Sequence, residues 1–143
     1  MGNYRATAHA VIGEIKYLTT IEANGKTIVS DEPLDHGGGD QGFAPFQLLL
    51  ASLGACTAIT LKMYVARKEW EVGSIEIDLS LITLSDQSNL IERNIRFKGN
   101  PTEEQKKRLL QIADVCPVHK LLTGKVTIET HDGDDNKQEA IGS

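Results

Sequence analysis

The sequence is poor in several things, and each shortage narrows what the chain can be. Two cysteines, Cys56 and Cys116, stand in 143 residues. A chain of that length suits one domain, and it buries roughly 68–70% of its extended surface without a disulfide staple or a structural metal. In such a protein two cysteines are more often free, catalytic or redox-active thiols than structural ones. Positive charge is in deficit: 15 Lys and Arg against 20 Asp and Glu leave a net charge of −5. A nucleic-acid footprint wants a basic face, so none is expected. No signal-peptide pattern opens the sequence and no targeting segment stands out, which makes the cytoplasm the expected location. Neither GxxxxGKS/T nor GxGxxG after a strand is present. The run Gly37-Gly38-Gly39 is therefore expected to be a flexible connection rather than a phosphate cradle. There are no internal repeats and no linker.

Proline is absent between Pro45 and Pro101, and that gap holds the stretch around which the chain is organised, Ala44 to Lys68. Pro45 suits the first turn of a helix, where a missing N–H costs nothing. Leu48, Leu49, Leu50, Ala51, Leu53, Ala55, Ala58, Ile59, Leu61, Met63 and Val65 leave almost no polar face. A helix apolar nearly all round is expected to be buried. Lys62 and the polar C-terminal end argue against a membrane span. Cys56 sits in the middle of this helix.

Before it, Arg5 to Ile12 reads as a strand. Lys16–Ala23 and Lys26–Ser30 flank Asn24-Gly25, a strong hairpin signal because both turn positions need φ > 0. After it, Ser74–Leu84 and Leu90–Lys98 alternate. Ile75, Ile77, Leu79 and Leu81 share one face of the first, and Ile91, Ile95 and Phe97 point inward from the second, which predicts an antiparallel hairpin. Thr102-Glu103-Glu104-Gln105 is a capping box that opens a helix running to about Val115. Pro117 disfavours helical backbone at Cys116 and ends it. A short helix over Val118–Thr123 and a last strand over Lys125–Thr130 follow. His131–Ser143 reads as a flexible tail. The expectation is a single α+β domain over 1–130, with antiparallel sheets enclosing a buried central helix.

Thiol chemistry is governed by thiolate formation. Cys56 lies too far along its helix for the dipole, which acts within the first turn, to activate it. A nearby cation is needed, and by residue type the candidates are Arg5, Lys16, Lys26, His36, Arg93 and His119. Cys116 stands at a helix end, where a thiol can be partly exposed and can move. One fixed thiol and one at a helix end suit a peroxidatic and a resolving cysteine. The first becomes a sulfenic acid on attacking an O–O bond, and the second condenses with it to a disulfide. An external thiol then reduces that disulfide. The bland alternative is a pair of inert buried cysteines. Cys56 with Cys116-x-x-His119 lacks structural zinc spacing, so no metal is expected.

At these residues the sequence resembles the OsmC/Ohr family of organic hydroperoxide reductases. The segments that carry the resemblance are Ala44 to Thr57 (APFQLLLASLGACT) and Cys116 to Lys120 (CPVHK), with the glycine-rich Gly37–Gly42 before them. The resemblance implies an intertwined homodimer with sheets wrapped around paired central helices. It also implies active sites at the subunit interface, organic hydroperoxide substrates, an external dithiol reductant and no cofactor. It casts Cys56 as the peroxidatic thiol and Cys116 as the resolving one. Phe43, Phe46, Gln47 and His119 become candidate pocket residues, and Arg5, Lys16 and Lys26 candidate activating cations. The family's glutamate after the motif proline is replaced by Phe46, followed by Gln47. That departure motivates an alternative: a small-molecule-binding or redox-sensing protein on the same fold, with weak peroxidase activity or none.

Overall fold

The computed structural model describes residues 5–134. Three short antiparallel strands come first: β1 (His9–Ile12), β2 (Thr19–Ala23) and β3 (Lys26–Ser30), in the order β1-β2-β3. Pairing of Ala23 with Lys26 closes the β2–β3 hairpin over Asn24 (φ 51°) and Gly25 (φ 77°), the left-handed pair that Asn-Gly favours. The first strand starts later than its residue pattern predicts, because Arg5–Ala8 have no strand partner.

The connection from β3 to the central helix is tied down rather than flexible. The Asp31 side chain is buried, and its carboxylate accepts the amides of Glu32 (2.8 Å), Gly39 (3.2 Å) and Gln41 (3.2 Å). A buried carboxylate with three amide donors is satisfied, and it fixes the loop that supplies them. A Cβ on Gly38 would collide with the backbone carbonyl of Glu32, so the loop needs glycine there.

Helix α1 spans Pro45–Lys68. Its first turn is closed by the Gln47 side chain, which accepts the Ala44 amide at 2.9 Å. By length and hydropathy α1 is apolar enough to cross a bilayer, yet Leu53, Thr57, Leu61, Tyr64 and Val65 form a buried stripe along it. That stripe packs on the second sheet, on α2 (Glu103–Ala113) and on α3 (Pro117–Thr123). The second sheet is a single antiparallel hairpin of β4 (Ile75–Thr83) and β5 (Asn89–Phe97). Leu61, Tyr64, Val65, Val72, Leu109 and Ala113 make the core, with Trp70, Ile75, Ile95, Phe97 and Ile112 against it. The capping box of α2 is formed in both directions, between Thr102 and Gln105.

Three expectations need correction. Helix α1 is not buried all round: Ile59 is 55% exposed, Met63 67% and Phe46 69%. The chain's own second sheet and helices cover one side of α1, and its N-terminal sheet has at most marginal contact with the helix. The sheets of one chain therefore do not enclose it. Residues 125–130 form no strand: they pair with none of the described strands, and Ile128 is 85% exposed. Of the expected tail, residues 131–134 are irregular or turn, and the rest lies outside the described residues.

Candidate functional site

The two cysteines come from separate elements, Cys56 from α1 and Cys116 from the start of α3. Cys56 rides on α1 one position before the fully buried Thr57. Two residues earlier, at Gly54, the helix passes so close to β4 that an added Cβ would lie 2.9 Å from Leu79 Cδ1. Cys116 is the residue that caps α3, and its Sγ accepts the His119 amide at 3.4 Å. The two thiols are close enough that each influences the ionisation of the other.

Their exposures reverse the sequence-based expectation. Cys116 is 0% exposed, although a helix end before proline suggested an accessible thiol. The chain turns at once into α3 and folds that helix back over the sulfur, with the α1 residue Thr57 beneath. Cys56 is only partly buried. The electrostatics of the pair are unequal too. Burial pushes the Cys56 thiol up, and Cys116 beside it adds to the rise, against weaker help from the Val118 amide and Thr60. Burial also pushes Cys116 up, but hydrogen bonds from Cys56, from the amides of His119 and Val118 and from Thr57 outweigh it, so its net direction is down.

Arg93 joins the two cysteine-bearing elements. Its Nη1 donates to Thr57 Oγ1 at 3.1 Å. Its Nη2 donates to Asp114 Oδ1 at 2.8 Å and to His119 Nδ1 at 3.1 Å. Guanidinium has no acceptor, so His119 Nδ1 is the acceptor and its ring proton belongs on Nε2. The side chain of Arg93 is 12% exposed, whereas Asp114 is 65% exposed and well solvated. Thr57 Oγ1 in turn donates to Leu53 O at 2.7 Å, one helical turn back.

On the solvent side of this network lies a cavity of about 500 Å³, lined by Leu53, Leu90, Ile91 and Leu122 with Arg93 and His119 among its polar groups. Neither sulfur lines it. Of the residues expected in a pocket, His119 is there. Phe43, Phe46 and Gln47 are elsewhere: Phe43 is bridged to Ser30, Phe46 is exposed on the first turn of α1, and Gln47 closes that turn. Arg5 lies at a shallow depression beside Ala23 and Asn24, Lys26 Nζ donates to Asn24 O at 3.1 Å, and Lys16 borders the glycine loop. No cation is among the main influences on either thiol. Among the described residues no three His, Cys, Asp or Glu side chains converge as a metal set.

Thr57 and Asp114 are the members of this network that residue type did not single out, whereas Arg93 and His119 stood among the six candidate cations with nothing to choose between them. A signal for Arg93 was present. On β5 the inward positions are Ile91, Ile95 and Phe97, and Arg93 shares their parity, directly across from Leu79. A charge in the apolar register of a half-buried strand has a polar partner beneath it.

A β-hairpin packed on a long apolar helix, with one cysteine on that helix and another capping the last short helix, is a thiol-bearing α+β domain. A family model described as OsmC-like protein matches residues 37–131, and the chain belongs to that family. Among solved structures it is similar to an OsmC-like protein from Mycoplasma pneumoniae: 20% identity, 86% of this chain and 90% of that one covered, TM-score 0.67. It is also similar to the organic hydroperoxide resistance protein OhrB of Bacillus subtilis: 24% identity, 86% and 93% covered, TM-score 0.59. A third is the organic hydroperoxide resistance protein OsmC from Legionella pneumophila: 18% identity, 87% and 93% covered, TM-score 0.61. At these identities the likeness is one of fold. No curated protein matches the sequence.

Proposed function

We propose that the chain is a thiol-dependent peroxidase that reduces organic hydroperoxides through Cys56 and Cys116. The observation that carries this reading is that two thiols from separate elements, one partly exposed and one buried, lie close enough for each to influence the ionisation of the other. The more accessible Cys56 attacks the peroxide and becomes a sulfenic acid, and Cys116 condenses with it to a disulfide and releases water. An external dithiol then restores both thiols by exchange. The working form is a homodimer in the cytoplasm. The bare face of α1, Ala51-Ala55-Ile59-Met63, and the unpaired strand-like segment 125–130 support a second copy as the missing cover.

The test is intact mass and free-thiol count after one equivalent of cumene hydroperoxide. Loss of both thiols with a two-proton fall in mass, abolished by Cys56→Ser, is expected. Unchanged thiols refute the reading. They would shift weight to a binding protein, for which the apolar cavity beside Arg93 speaks; saturable binding of an apolar small molecule would then be expected.

A further inference from the structure

The cavity of about 500 Å³ between α1, β5 and α3 has a size that suits a small organic molecule. Leu53 from α1, Leu90 and Ile91 from β5 and Leu122 from α3 make its walls apolar. Its two ends along β5 are polar: Arg93 lies at one and Asn89 at the other, four residues or about 13 Å apart. The Arg93 end is lopsided in what it still offers. Guanidinium has five N–H groups, and Arg93 spends three on Thr57, Asp114 and His119. That leaves the proton on Nε and one on Nη1. His119 Nδ1 accepts from Arg93, so the ring keeps a donor at Nε2, which has no partner among the described residues. On the acceptor side, Thr123 gives its own proton to His119 O at 2.9 Å. Asp114 is 65% exposed and already paired with Arg93 at 2.8 Å. Among the described residues Arg93 is the one Lys or Arg lining the cavity, and its side chain is 12% exposed.

We propose that this cavity binds an apolar monocarboxylate, with Arg93 as the anchor of the carboxylate, His119 Nε2 as a second donor, and the tail laid along Ile91 toward Asn89. An apolar wall with unspent donors at one end takes a molecule with an apolar body and an acceptor head. A carboxylate only accepts, and its charge strengthens each bond it takes from guanidinium. An alcohol brings a donor proton, which neither Arg93 nor His119 Nε2–H can accept. Asp114 does not fill the place, because a pair with a carboxylate that is mostly in water is weak. Neither sulfur lines the cavity, so occupancy needs no reaction at Cys56. The site does not rest on the peroxidase reading; it gives the alternative, binding reading a class of ligand.

The test is calorimetric titration of the reduced protein with decanoate and with decan-1-ol, with no peroxide present. Decanoate should bind saturably and about tenfold more tightly than decan-1-ol, the worth of one charge-assisted hydrogen bond. Arg93→Met should weaken decanoate by about the same factor and leave decan-1-ol unchanged, and Arg93→Lys should recover part of the loss. Leu90→Glu, at a position 41% exposed, puts a carboxylate in the apolar wall and should weaken both ligands. Cys56→Ser should bind as the parent does. At a decanoate concentration a hundredfold above its dissociation constant, the parent should melt about 8 °C higher. The proposal is overturned if decanoate does not bind saturably, or if decan-1-ol binds as tightly. It is also overturned if folded Arg93→Met keeps the preference for decanoate. Unchanged affinity in Leu90→Glu would put the ligand elsewhere, on the bare face of α1 for instance, and loss of binding in Cys56→Ser would put it at the thiols; either result overturns it as well. None of these readings changes if the thiols prove inert to hydroperoxide.

Discussion

Leu61→Ala and Ile59→Ala, two positions apart on α1, measure different surfaces of one helix. Leu61 is 0% exposed and sits in the core with Tyr64, Val65 and Leu109. Its truncation removes buried methyl groups and leaves a cavity that close-packed neighbours refill only in part, at a cost of about 2–5 kcal/mol. For a chain of this size 1 kcal/mol moves the midpoint of melting by about 3 °C, so a fall of roughly 6–15 °C is expected. Ile59 is 55% exposed on the opposite face. In a single chain its truncation costs no more than about 0.5 kcal/mol, as for other surface changes. If a second copy covers that face, Ile59→Ala becomes a core deletion as well, and its cost grows as protein is diluted toward the dissociation constant. The assay is urea unfolding of both variants at two protein concentrations a hundredfold apart, with the slope checked for constancy. A Leu61→Ala cost under about 1 kcal/mol would refute the core described above. A concentration-independent loss below about 0.5 kcal/mol for Ile59→Ala would refute the homodimer.

Other consequences are smaller and separable. Thr102→Ala removes one half of a capping box seen in both directions and should cost about 1 kcal/mol in chemical denaturation. Gly73 has φ +71°, and a Cβ there would lie 2.5 Å from the Gly99 amide nitrogen, so Gly73→Ala should lower the melting midpoint by several degrees, more than Gly13→Ala, whose Cβ meets nothing. The Glu76 carboxyl is held below its ordinary value of 4.5 by the hydrogen bond from Arg96 and the charge of Lys98. Its stabilising effect is therefore present above that value and is lost as pH falls through the folded one; Arg96→Met should flatten that acid limb in a series of melts between pH 3 and 7.

The elements were legible wherever local chemistry decides them. Asn24-Gly25 dictates a turn that needs two left-handed residues, alternation over Ile75–Leu81 needs one wet face, and Thr102 with Gln105 can satisfy two orphan amides at once. None of these depends on what lies across the molecule. The misreadings concern partners. A strand-like pattern at 125–130 says that the segment can pair but not that an edge is offered. The apolar girth of α1 says that it must be covered but not by which chain. Gly37-Gly38-Gly39 looked flexible because nothing in the glycines themselves shows that the Asp31 carboxylate accepts the amides of Gly39 and Gln41.

The site divides the same way. Both cysteines could be singled out by type, yet their exposures could not, because covering Cys116 depends on where α3 lands. Arg93 was readable in principle from its inward parity on β5, and that parity supports a last expectation. An arginine at 12% exposure gains three acceptors but gives up most of its hydration, and such an exchange is often close to neutral for stability. Arg93→Met keeps a flexible apolar stem in the register of Ile91 and Ile95. The groups it abandons are not stranded: Asp114 is 65% exposed, and Thr57 still donates to Leu53 O. Arg93→Met should therefore melt within about 3 °C of the parent, a change on the order of 1 kcal/mol, while its rate of disulfide formation with hydroperoxide falls at least tenfold. A strut would behave in the opposite way: if melting drops by 10 °C while the rate per folded molecule holds, Arg93 supports the fold and not the thiols.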